Sequence, residues 1–383
     1  MKKFVLIFVI LILTLLFQPK KSDNVVRFAT WGSQSEIEII KPLIEEFEEK
    51  NPTIKVELMH IPQNYFQKIH LLFASKMAPD IVFMNNHYLP YFAKANVLKP
   101  VKYNTEEYNK KAVEALSYNG QTYAVPRDIS LLVIFRNREI FKKCGVPLKG
   151  DLNFDEFLTV TKKLSACKAF GKRIYGISFE EEPALFYLPY LMSEGGEIIS
   201  PDGKFIFNEA NSQKGLKFYA DLRNKYHVAP TKSESANLTA AQMFLNGSLA
   251  MHLSGHWLVP KYTKEAKFDF DAITFPKGQQ GSITPLDASG WALSKDASSE
   301  AEELVKFLSS KQSIEKINSC NLVIPARLDV FEEAFLSDDK NASINAVFAK
   351  ALKTSKPTSV TPNYNEVLND LKKIVEPLFN VSQ

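Results

Sequence analysis

Only three cysteines, Cys144, Cys167 and Cys320, occur in 383 residues. An odd number at unrelated spacings is no disulfide framework and fits no zinc-ligand pattern. Buried, unpaired thiols are therefore the expectation, although an exported compartment permits disulfides and Cys144 with Cys167 is a conceivable pair. An excess of one charge is missing as well. Without residues 1–21 the chain loses Lys2, Lys3, Lys20 and Lys21, which takes Lys+Arg from 47 to 43 against 43 acidic residues. That balance removes the basic footprint of a nucleic-acid binder and gives no sign of a strongly charged substrate. Catalytic signatures are absent too: the sequence has no G-x-S-x-G, H-E-x-x-H or P-loop. Ser254-Gly255 between His252 and His256 suits a turn better than a metal-bearing helix. No cofactor and no metal are expected.

One long hydrophobic run is present, from Phe4 to Phe17, after Met1-Lys2-Lys3 and before Gln18-Pro19-Lys20-Lys21. This is the layout of a secretory signal peptide over 1–21, and about 14 apolar residues fall short of the roughly 20 that span a bilayer. No small-x-small site follows the run and no cysteine stands there to be lipidated. Two forms remain open, a free periplasmic protein and one tethered to the outer face of the cytoplasmic membrane by an uncleaved segment. The remainder, about 360 residues, is long enough for two domains.

Hydrophobic period then alternates between strand and helix. Val25 to Thr30 is a β-prone run; Ser33 and Glu36 have capping-box spacing, and Ile37, Ile40, Ile44 and Phe47 recur on one helical face until Asn51-Pro52. Ile54, Val56 and Leu58 alternate as a second strand, Tyr65 to Ala74 forms a second amphipathic helix, and Asp80 to Met84 is a fully apolar third strand. A β-α-β-α-β series predicts an α/β fold with a mainly parallel sheet. Ligands of such sheets bind beyond the carboxyl ends of the strands. After the first strand come Trp31, Gly32 and Ser33; after the second, Gln63 and Asn64; after the third, Asn85, Asn86 and His87. Aromatic, amide and hydroxyl groups stand at every exit, although Asn, Ser and Gly are also ordinary turn and cap residues.

Five motifs in order resemble the bacterial extracellular solute-binding proteins of the sugar-importer type, the group of maltose-binding protein. Ala78-Pro79-Asp80-Ile81 is similar to A-P-D-[IV], Asn119 to Pro126 to N-G-K-x-Y-G-[VI]-P, and Phe135 to Gly145 to Y-Y-N-K-x-L-F-x-K-A-G. Phe244 to Met251 resembles F-x-x-G-x-x-A-M, and Gly255-His256-Trp257 the G-x-W turn behind it. Departures exist: Asn153-Phe154-Asp155-Glu156 replaces T-W-D-E, Phe135-Arg136 replaces Y-Y, and Leu185 stands where maltose-binding protein has a stacking tyrosine.

The resemblance implies a type II periplasmic-binding-protein-like fold, two α/β lobes joined by a multi-crossing hinge with a ligand cleft between them. Lobe one would comprise 23–127 plus 277–325 and lobe two 128–276 plus 326–383, with crossings at Ile129 to Phe135, Phe270 to Phe275 and Leu322 to Ala326. The implied partners are a small solute, a sugar foremost, and the membrane permease subunits of an ABC transporter. A sugar offers hydroxyls to planar polar groups and an apolar C–H face to an aromatic ring. Where the family places its cleft, Trp31, Trp257 and Tyr187 are the candidate stacking residues, with Phe186, Tyr190 and Trp291 behind them. Arg127, Asp128, Ser33, Asn85, Gln63, Asp287, Ser289 and Arg327 are the candidate hydrogen-bonding residues; Arg127-Asp128 also reads as a solvated ion pair near the hinge. Two alternatives stay open. One is a binder of another solute, a glycerol phosphodiester or short peptide, though no Arg/Lys cluster for an anion is found. The other is a secreted glycoside hydrolase, whose paired carboxylates would have to come from the acidic runs Glu180-Glu181-Glu182 or Asp338-Asp339, which read as solvated faces.

Overall fold

The computed structural model describes residues 24–380 apart from 169; the signal segment expected over 1–21 lies outside the described residues. The chain opens with β1 (Val25–Thr30), α1 (Gln34–Lys50), β2 (Lys55–His60), α2 (Tyr65–Ala74) and β3 (Ile81–Asn85). Helix α1 forms where the pattern places it. Ser33 and Glu36 close a reciprocal capping box, and Ile37, Ile40, Leu43, Ile44 and Phe47 are its buried face. The chain continues through β4 (Leu98–Lys99), β5 (Ala124–Ser130), β6 (Leu132–Asn137), α3 (Phe154–Ser165), α4 (Ala210–Asn224), β7 (Met251–Gly255) and β8 (Phe270–Ile273). It ends with β9 (Pro285–Ser294), α5 (Ser299–Leu308), α6 (Lys311–Asn318), β10 (Ile324–Pro325), α7 (Ala342–Thr354), β11 (Lys356–Pro357) and α8 (Tyr364–Phe379), with shorter helical turns between.

Two sheets carry the molecule. The larger, eight-stranded, runs β10-β5-β9-β3-β1-β2, with β4 and β11 also paired to β9; the smaller runs β8-β6-β7. The large sheet is mixed, which corrects the mainly parallel expectation. β1 pairs in parallel with β2 and β3, but β9 is antiparallel to both β3 and β5. Only strands joined directly by a helical crossover are obliged to run parallel; β9 arrives after a long excursion through the second sheet, so its direction is free.

A single residue, Leu131, separates β5 in one sheet from β6 in the other. Strand β6 is buried on both faces: Val133 and Phe135 join the core under the large sheet, Leu132 and Ile134 the core of the second. The segment 326–383, expected with the second lobe, is shared between the sheets. Helix α7 packs on β6 and β8 and α8 on α4, whereas β11 pairs with β9 and Arg327 bridges to Tyr108.

Cys144 and Cys167 form a disulfide with Cα atoms 5.7 Å apart, and Cys320 remains free and half-buried. The expectation of unpaired thiols was mistaken for this pair. Both cysteines follow the last turns of short helices, Arg138–Lys143 and α3, and only packing of those two ends decides whether the thiols meet. Among the described residues no helix is long and apolar enough to cross a membrane.

Candidate functional site

The carboxyl ends of β1 and β3 and the start of β9 meet at one edge of the large sheet. By register Ser289 on β9 lies between Asn85 on β3 and Asp128 on β5, and Asp287 faces Ser130. Directly opposed residues share a face, as do alternate residues along one strand, so Asn85, Asp128, Asp287 and Ser289 emerge on one side. Between Ser289 and Gly290 the register slips, and Arg127 is the extra residue of a bulge in β5. Gly290 is required there, because any Cβ would collide with the Val125 carbonyl. Bulges re-aim side chains, and this one turns the Arg127 guanidinium over the Phe83 ring, 4.1 Å from its centroid.

Arg127 and Asp128 are each 4% exposed, so they are a buried pair rather than a solvated one. The Arg127 Nε–H donates to Asp128 Oδ2 at 2.5 Å and Nη2 reaches Glu36 Oε1 at 3.3 Å. Burial opposes the charge on Arg127, but the carboxylates of Asp128 and Glu36 outweigh it and hold its pKa above the ordinary value. Glu36 thus serves two partners, since its other oxygen accepts the Ser33 N–H at 2.9 Å. Ser33, a candidate ligand group, is occupied as the cap of α1. Trp31 is half-buried among Phe83, Tyr65 and Phe66, with centroids 4.2, 5.0 and 5.5 Å away.

A second polar knot lies at the neighbouring exit. His87 Nε2 stands 2.8 Å from Asp287 Oδ1, which also accepts the Asn86 Nδ2–H at 3.0 Å. Burial works against both charges, yet mutual attraction prevails: His87 is raised above, and Asp287 lowered below, the usual value. Asn85 itself turns back, accepting the Tyr88 N–H at 3.2 Å, and Gln63 is exposed on the loop after β2. Asn86 and His87 therefore make the close contacts at this exit; the amide cluster in the sequence marked the place but not the member.

The second sheet reaches the same neighbourhood through the crossing. Leu132, two residues beyond Ser130, pairs with Gly255 at the end of β7, and its N–H is held by Thr284 Oγ1 at 3.0 Å. The half-buried Trp257 ring lies against Gly255 so closely that a Cβ there would enter it. Also at this junction, His87 meets Tyr364 at the start of α8, ring centroids 5.2 Å apart.

Other candidates sit elsewhere. Tyr187 is 2% exposed, packed against Phe379 and Tyr219, so it offers no free face for stacking. The turn Ala184–Phe186 rotates Phe186 outward instead, where it lines a concavity of about 370 Å3 with Glu181, Arg223 and Lys232. Tyr190 and Trp291 are core residues. Arg327 is bound to Glu107 at 2.7 Å and Asp329 at 2.9 Å, beside Tyr108 and away from the exit edge. The acidic run is not a solvated face. Glu181 pairs with Arg223 and Lys232, Glu182 with Lys372, and Glu180 with His252. Burial would raise the Glu181 carboxyl, but hydrogen bonds from Lys232, Arg223 and Asn380 outweigh it and lower it.

Comparison with known proteins gives the arrangement its relatives. The signature described as bacterial extracellular solute-binding protein matches residues 42–343. Maltodextrin-binding protein MdxE of Bacillus subtilis is 22% identical over 93% of this chain and 86% of its own length. The multiple sugar-binding protein of Streptococcus mutans is 25% identical over 72% and 69%. Among solved structures, ABC substrate-binding protein Lmo0181 from Listeria monocytogenes in complex with cycloalternan superposes with a TM-score of 0.82 at 23% identity, covering 94% of both chains. The GacH receptor of Streptomyces glaucescens follows at 0.81, 20% identity and the same coverage. These likenesses establish the two-lobed α/β binding-protein fold, and with the signature covering most of its length the chain belongs to the bacterial extracellular solute-binding proteins.

Proposed function

We propose that this protein is the solute-binding component of an ABC importer and that it holds a sugar or oligosaccharide between its two sheets. One observation carries the reading: the register links Asp287 to Ser130, and Leu132 to Gly255 beside Trp257, so a polar half-site and an aromatic ring flank the same crossing. Hydroxyls would find carboxylate, imidazole and hydroxyl partners at Asp128, Asp287, His87 and Ser289, with the fully buried Asn86 holding Asp287 from behind, and a C–H face would find Trp257 or Trp31. The names of the sugar-binding relatives support the same solute class. In this reading lobe one is 24–130 plus 277–335 with β11 added, and lobe two the rest. Ligand bridging the lobes stabilises the closed form by its differential affinity for it, and closure presents the complex to permease subunits outside the cytoplasmic membrane. The protein works as a binder without turnover, in keeping with a family of substrate-binding proteins.

A thermal-shift panel of mono- and oligosaccharides, glycerol phosphodiesters and short peptides tests this. A matching sugar at a hundred times its Kd adds about 2.7 kcal/mol of stability. Stabilisation by a peptide or phosphodiester alone refutes the sugar, and hydrolysed glycoside in the wells refutes the binder.

A further inference from the structure

We propose that a second cavity, remote from the cleft, binds a neutral carbohydrate of one or two rings. It has a volume of about 940 Å3, inside the range of small-molecule sites, roughly 300–1,000 Å3. It opens between the loop around Lys102 to Tyr108 and helix α5, beside Val125 of β5 and Leu293 of β9. Leu293 pairs with Ile81, the first residue of β3, so the cavity sits at the opposite end of β9 from Asp287. None of the exit residues lines it, and neither does any part of the second sheet.

Its lining has the two kinds of surface a sugar needs. The half-buried Tyr103 stands edge to face on the buried Tyr108, with centroids 5.2 Å apart, and the buried Val125, Leu293 and Val305 form the apolar wall behind it. Against these, the hydroxyl of Ser309, a residue only 7% exposed, has no hydrogen-bond partner among the described residues. A buried hydroxyl left without a partner is uncommon in a native fold, and rotation of the Ser309 side chain toward the cavity it lines would bring that hydroxyl to a ligand. The Ser309 carbonyl is already used, accepting from Tyr108 Oη and Arg327 Nη1, both at 3.3 Å.

Charge selects the neutral class. Arg327, Lys102 and Lys306 in the lining are matched by Glu107, Glu302 and Glu303. Arg327 is further held by Glu107 and Asp329, and Glu302 by Lys99. A site with balanced, mutually engaged charges offers an anion no surplus cation. Everything that lines the cavity belongs to the large sheet and its own helices and loops, so it requires no lobe closure and is independent of the cleft reading.

Backbone amide shifts on the full protein, titrated with glucose, maltose and, as the anionic comparator, glucuronate, decide the matter. Saturable shifts at 102–108, 299–310 and 327 with glucose or maltose are expected. They should weaken by roughly tenfold or more, 1.4 kcal/mol, in Ser309→Trp or, should that variant not fold, in Ser299→Trp at the exposed rim. Trp257→Ala should leave them unchanged. Shifts confined to 31, 85–87, 257 and 287–289 overturn the second site and leave the cleft intact; cavity shifts with a silent cleft do the reverse. Equal response to glucuronate, or no response in the cavity to any probe, overturns the proposal.

Discussion

The large sheet brings its polar groups to the exit edge already tied to one another, whereas the second sheet brings an aromatic ring and is fastened covalently. On one side Arg127 is held by Asp128 and Glu36, and Asp287 by His87 and Asn86. On the other, Trp257 rests on Gly255, and Cys144–Cys167 staples the helices behind it. Side chains that hold each other present fixed acceptors to a ligand and lose little freedom on binding. A ring lying on a glycine gives area without demanding one orientation of the solute.

The sharpest way to break this contrast is to cut the buried network. Arg127→Met strands Asp128 and Glu36 and should cost about 3–5 kcal/mol of stability in denaturant melts; a loss under about 1 kcal/mol would mean the pair is solvated after all. Next in size is the staple. Cys144→Ser with Cys167→Ser opens a loop with a sequence separation of 23 and should cost about 3 kcal/mol, with solute affinity kept. If affinity falls in step with stability, the second sheet is not an independent support.

Asp287→Asn should cost about 2 kcal/mol at most, since its pair is partly exposed, and the effect should depend on pH. Asp287 is lowered, so its share is full above the unfolded carboxyl pKa of 3.8 and fades as pH falls through the lowered folded value. His87 is raised, so its share is full below 6.5 and fades as pH climbs through the raised folded value. The difference between wild type and variant should therefore peak between pH 3.8 and 6.5; a flat difference from pH 4 to 9 would dissolve the ion pair. Smallest is Trp257→Ala, expected to weaken solute binding by about 1.5 kcal/mol, roughly tenfold, with little change in the unliganded melt. Calorimetry that finds unchanged affinity returns Trp257 to a packing role.

Local signals were the legible ones. Ser33 and Glu36 announced the start of α1, Tyr65 to Ala74 the whole of α2, and the apolar run after Asp80 a buried strand, because each depends on neighbours within a few residues. Positions one or two residues apart were not legible. Tyr187 and Phe186 have similar chemistry, and a single turn of 3-10 helix decides which is buried. Asn85 and His87 are equally polar, yet one caps its own loop while the other reaches Asp287 across 200 residues.

Periodicity and capping in the chain thus specify where strands and helices lie, and ordered motifs specify the family, since both are written in short stretches of sequence. Which carboxylate meets which cation, which thiols join and where Arg327 comes to rest are matters of distance between segments far apart in the chain. Arg327 shows the limit. Its type suggested the cleft, but β10 pairs with β5 and carries the chain back along that strand, away from the exit edge, to Tyr108 and Glu107.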